Sequence, residues 1–154
     1  MTDRAGSAEL LTAEDTVALG ATLGRELRAG DVVVLSGPLG AGKTVLAKGI
    51  AQAMDVEGPV VSPTFVLARV HRARREGAPA MVHVDLYRLL DQSSVDLLAE
   101  LDSLDLDTDL DDAVVVVEWG EGVAERLSDS HLDIRLERSS DTDARTAIWK
   151  WSRP

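Results

Sequence analysis

The stretch Gly37-Pro38-Leu39-Gly40-Ala41-Gly42-Lys43-Thr44 constrains this chain more than any other. It fits the pattern G-x-x-x-x-G-K-[ST] in full. Directly before it, Asp31-Val32-Val33-Val34-Leu35-Ser36 is a short, continuous apolar run, the kind buried on both faces of a parallel sheet. Directly after it, the spacing predicts a helix from Lys43 to Met54. Glycines let a backbone turn at positive φ and aim successive N–H groups at one anion. A helix that begins at the same spot adds the positive end of its dipole. The expectation is therefore a phosphate-binding loop. Lys43 would reach the β- and γ-phosphates of a bound ATP, and the Thr44 hydroxyl would ligate Mg2+. Gly37, Pro38, Leu39, Gly40, Ala41 and Gly42 would supply the cradle, with Val45 adjoining it. A plain strand-to-helix turn would use the glycines but has no need of the lysine.

A site of this kind calls for an acidic residue at the end of a second apolar strand, to hold the metal. Ala113-Val114-Val115-Val116-Val117-Glu118 provides one, so Glu118 is the expected second magnesium ligand beside Thr44. His83-Val84-Asp85 ends another expected strand, Met81 to Asp85, and alternation places His83 and Asp85 on one face. Asp85 there could orient the attacking water, with His83 in support; a satisfied polar pair at a strand end is the plainer reading. Thr64, just after Pro63, could report on the γ-phosphate or simply satisfy its own loop backbone.

The remaining pattern points to a three-layer α/β fold around a mixed, mainly parallel sheet. A helix is expected from Thr12, with Asp15 completing a variant capping box, and its stripe of Val17, Leu19, Leu23 and Leu27 runs on until Gly30. The basic stretch Arg69 to Arg75 leads through Glu76-Gly77-Ala78-Pro79 as a hairpin. Leu86 to Leu90 and Val95 to Leu101 read as helical. Leu132 to Leu136 and Ala144 to Trp151 read as C-terminal edge strands. Nothing suggests more than one domain over residues 1–154, with residues 1–10 partly flexible.

Charge limits the partners. With 27 acidic and 16 basic residues the net charge is −11, so strong autonomous binding to RNA or DNA is not expected. A partner protein could supply that contact. The chain has no cysteine, which excludes disulfides and thiol chemistry and suits a reducing cytoplasm. No apolar run approaches the roughly 18 residues of a membrane span.

Beyond the loop, Ser62-Pro63-Thr64-Phe65, His83-Val84-Asp85-Leu86-Tyr87-Arg88-Leu89 and Glu118-Trp119-Gly120 follow in the order and spacing of one family. From about Thr12 to Glu121 the chain resembles TsaE, formerly YjeE, the tRNA threonylcarbamoyladenosine biosynthesis ATPases. This resemblance implies an ATPase that assists formation of N6-threonylcarbamoyladenosine (t6A) at position 37 of tRNA. It would dock on the TsaB–TsaD transferase complex, and its own turnover would be weak without that complex. It implies magnesium on Thr44 and Glu118, catalytic surroundings at Asp85 and Thr64, and an adenine approached by Thr12, Ala13 and Glu14. Trp119 would belong to the active-site wall or partner surface, and Arg145 is a candidate on the nucleotide side. Contact with tRNA would be indirect, and the chain would be a monomer or weakly self-associating. Pro38 and Val45 depart from residues common at those positions, and neither removes a phosphate-binding group. Gly120 stands where proline or alanine is common.

Other readings compete. A small-molecule kinase shares the loop and would need an arginine-bearing lid, for which Arg72, Arg74 and Arg75 are the candidates. A non-catalytic docking module shaped by nucleotide is the third reading. A GTPase is disfavoured because its guanine-reading box needs asparagine, of which the chain has none. Within the aspartate run from Asp102 to Asp112, Asp105-Leu106-Asp107-Thr108-Asp109 starts like a calcium loop. Leu110 and Val116, however, stand where glycine and glutamate are required.

Overall fold

In the computed structural model, residues 4–38, 42–60, 68–85, 112–118, 130–138 and 144–152 are described. The helices expected at 86–90 and 95–101, the strand entry after Val60, and the aspartate run short of Asp112 lie outside them.

Valine-rich segments build the centre. Strands β2 (Val32–Ser36) and β5 (Ala113–Glu118) run parallel, with Val33 opposite Val116 and Leu35 opposite Glu118. Strand β4 (Ala80–Asp85) joins β5 in parallel, with Asp85 opposite Glu118, and β6 (His131–Arg138) joins β2 in parallel on the other side. Antiparallel strands flank this parallel core. The hairpin partner β3 (Ala68–His71) lies outside β4; β7 (Arg145–Ser152) lies outside β6, and β1 (Ala5–Leu10) outside β7. The order is β1-β7-β6-β2-β5-β4-β3.

Residues 5–10 form β1, and one expectation changes here. The C-terminal strands, expected at an edge, lie inside the sheet because β1 covers β7. The pattern Ala-Gly-Ser-Ala-Glu-Leu has low strand propensity, and pairing with β7 rather than local preference makes it a strand.

Helix α1 (Ala13–Gly24) opens at the expected capping box: Asp15 N–H donates to Thr12 Oγ1, and Thr12 N–H donates to Asp15 Oδ2. It stops at Gly24 rather than running to Gly30. Leu27 N–H turns back to Gly24 O and Arg28 N–H is caught by the Asp31 carboxylate at 2.8 Å, which steers the chain into β2. Leu27 still packs on the core, so the apolar period outlasts the helix. Helix α2 (Lys43–Met54) has the expected limits.

Leu46, Ile50 and Met54 of α2 cluster with Val33, Leu35, Val114, Val116, Leu132 and Ile134 from one face of the sheet. Val34, Val82, Val84, Val115 and Val117, which alternate with them, are buried as well, so the sheet is a middle layer. Helix α1 packs on α2 with the two backbones in close approach. A Cβ on Gly20 would collide with the Leu46 carbonyl, and one on Gly49 with that of Val17.

Candidate functional site

The carboxyl ends of β2, β4 and β5 meet the N-terminus of α2. Open α/β sheets place their binding crevice at such an end. Gly42 takes φ 99°, a left-handed conformation that suits glycine, and its carbonyl accepts the Leu46 N–H at 2.9 Å to start the helix. Among the described residues no side chain caps this helix, and no acidic residue sits in its first turn. Its leading N–H groups and dipole are therefore available to an external anion.

Lys43 is only 6% exposed, and its Nζ donates to the carbonyls of Gly37 at 2.8 Å and Pro38 at 3.0 Å. The loop backbone thus holds a buried ammonium on its own carbonyls. Leu39, Gly40 and Ala41 lie outside the described residues. In the next position Thr44 brings its Oγ1 to 3.4 Å from both carboxylate oxygens of Glu118, itself 3% exposed at the end of β5. Two oxygens on one magnesium at about 2.1 Å in adjacent octahedral positions lie about 3 Å apart. The Thr44–Glu118 spacing is close to that, so these two side chains could hold a hard cation.

His83, fully buried on β4, places Nε2 2.5 Å from Glu118 Oε2. The expectation places His83 in support of Asp85; the hydrogen bond it makes among the described residues runs to Glu118. Asp85 is the last residue of β4, opposite Glu118 in register. Thr64 and Trp119 lie outside the described residues.

A second opening, of roughly 390 Å³, lies beside the loop. Leu11, Thr12, Ala13 and Thr16 from the start of α1, Gly42 and Val45, and Arg145 from β7 line it. Two of the three residues expected near an adenine, Thr12 and Ala13, line it, and Arg145 joins them. Glu14 is exposed in the first turn of α1 and does not line the opening. Sequence reasoning missed His71. It is buried on β3, and its Nδ1 donates to the Glu57 carbonyl at 2.8 Å. Burial holds its imidazole below the ordinary 6.5; the Glu57 bond pulls upward, while His83 and Arg69 push further down.

The basic hairpin stands elsewhere. Arg72 follows the β3 residue paired with Met81, at the start of β4, whereas Asp85 at its other end is in register with Glu118. The distance along the strand is roughly 17 Å. Arg74 and Arg75 lie within 3.9 and 3.8 Å of the Asp55 carboxylate.

Strand, glycine loop, helix and the sheet order together define an α/β protein of the P-loop NTPase-like class. A family model described as "Threonylcarbamoyl adenosine biosynthesis protein TsaE" matches residues 10–147. The tRNA threonylcarbamoyladenosine biosynthesis protein TsaE of Mycobacterium bovis is 75% identical over 148 residues, covering 96% of this chain and 88% of that protein. Its Streptomyces coelicolor counterpart is 51% identical over 121 residues, 79% of this chain and 78% of the other. The crystal structure of YdiB from Bacillus subtilis superposes with a TM-score of 0.69 at 25% identity, covering 100% of this chain and 89% of that one. The chain belongs to the TsaE family. Among the described residues no helix is long and apolar enough to cross a membrane.

Proposed function

We propose that this protein is a magnesium-dependent ATPase that supports t6A formation in tRNA, acting on a TsaB–TsaD transferase complex in the cytoplasm. Membership of the TsaE family supports the pathway. The observation that carries the chemistry is the convergence of Lys43, Thr44 and Glu118 at an uncapped helix N-terminus. In this reading α2 and the loop amides bind the phosphates, and Lys43 moves from the carbonyls of Gly37 and Pro38 onto the transferring phosphoryl oxygens. Thr44 and Glu118 would hold magnesium, which supplies charge neutralisation between the phosphates. Asp85 organises the attacking water, Thr64 senses the γ-phosphate, and the opening at Thr12, Ala13, Val45 and Arg145 takes the adenine.

Turnover is weak alone, and the transferase complex raises it. A net charge of −11 supports indirect rather than direct contact with tRNA. A metabolite kinase is the weaker reading, since the arginines offered as its lid stand at the far end of β4 and two of them pair with Asp55. The test is ATP hydrolysis with and without the purified transferase pair, alongside mass analysis of tRNA from depleted cells. Stimulated release of ADP and phosphate, with loss of t6A on depletion, is expected. No turnover in either condition favours a docking module, and phosphate transfer to a metabolite favours the kinase.

A further inference from the structure

His83 is out of keeping with its strand. Met81, Val82 and Val84 around it are apolar and fully buried, and His83 is 0% exposed among them. A hydrocarbon side chain would fill that position without the desolvation penalty of a buried imidazole. Among the described residues, the hydrogen bond that offsets the penalty goes to Glu118, and Nδ1 has no partner. A carboxylate only accepts, so the proton sits on Nε2 and is aimed at Oε2. Strand register makes the reach possible. His83 lies opposite Val116, two residues before Glu118 and on the same face, which gives a diagonal contact within range of a long side chain. From the other side, the Thr44 hydroxyl of α2 stands 3.4 Å from the same carboxylate. Glu118 thus lies between a donor on β4 and a hydroxyl on α2.

We propose that His83 is a positioning residue for the cation site, its Nε2–H fixing the rotation of the Glu118 carboxylate toward Thr44. The assignment rests on the reading of Thr44 and Glu118 as cation ligands. Ligating carboxylates are themselves commonly held by hydrogen bonds, and losing such a partner costs about 10–100-fold in metal affinity. A side chain that merely filled space would leave that affinity alone.

The probe is Mn2+, titrated by electron paramagnetic resonance onto the full chain saturated with a non-hydrolysable ATP analogue. His83→Leu should weaken Mn2+ by about 10–100-fold, with its melting temperature and metal-free affinity for the analogue retained. His83→Gln, whose amide nitrogen reaches the Nε2 position, should restore wild-type binding of Mn2+. Should His83→Leu fail to fold, His83→Asn takes its place, because its amide is too short to reach Glu118. Wild-type Mn2+ affinity in the variant that cannot reach, while Glu118→Gln loses it, overturns the role of His83 and leaves the cation site standing. Wild-type affinity in Glu118→Gln and Thr44→Ala as well overturns the cation site, and the proposal with it.

Discussion

Thr44 and Glu118 are 74 positions apart in the chain, yet the hydroxyl of one lies 3.4 Å from each carboxylate oxygen of the other. That is beyond the usual 2.5–3.0 Å of an O–H···O bond. The two are neighbours across a gap, brought together by the pairing of β2 with β5 and by the short link from β2 into α2.

If one cation bridges them, their removal should not be additive. Thr44→Ala and Glu118→Gln should each raise the magnesium needed for half-maximal hydrolysis, and the double variant should be little worse than the poorer single. The coupling expected for residues sharing one partner is about 0.5–3 kcal/mol. Fully additive effects in this cycle would mean that the two act separately.

The close approach of α1 and α2 makes a second expectation. Gly49→Ala forces a methyl into the Val17 carbonyl, and the helices must separate. Overpacking of this kind costs about 1–3 kcal/mol, read as a lower urea midpoint with an unchanged slope. An alanine variant as stable as the wild type would mean that the helices are not held this closely in solution.

What could be read in advance follows from range. Helix α2 and the Thr12–Asp15 cap are local patterns, and both stand where the residues put them. Glu118 was legible as a strand-end acid after an unbroken apolar run. His83 as its partner was not, because the contact depends on the register between β4 and β5, which no periodicity records. Strand β1 was missed since Gly6 and Ser7 weaken its local preference; only the inward alternation of Gly6, Ala8 and Leu10 hinted at it. The end of α1 was misplaced because Leu27 keeps the apolar period while the backbone has already left the helix. Arg145 comes to the Thr12 opening through pairing of β7 with β1, again a long-range relation.

His71 sets an acid limit on stability. Burial holds its pKa below the 6.5 of the unfolded chain, so between those two values the unfolded state binds more protons. Its contribution is whole above 6.5 and is lost as the pH falls through the depressed folded value. Urea unfolding should therefore show stability declining from about pH 7 towards pH 5. His71→Asn keeps a donor near the Glu57 carbonyl and cannot titrate, so its decline should be shallower. Parallel profiles for the two proteins would remove His71 as a source of the acid sensitivity.

The most direct measurement joins the loop to the pathway: t6A content of tRNA, by mass analysis, in cells depleted of this protein and supplied with either the wild type or Lys43→Ala. Loss of a charge-assisted contact to phosphate is worth about 1.5–3 kcal/mol, roughly 10–100-fold in binding or rate. Restored t6A with the wild type and none with a stably folded Lys43→Ala is the expected result. Full restoration by the lysine variant would contradict it.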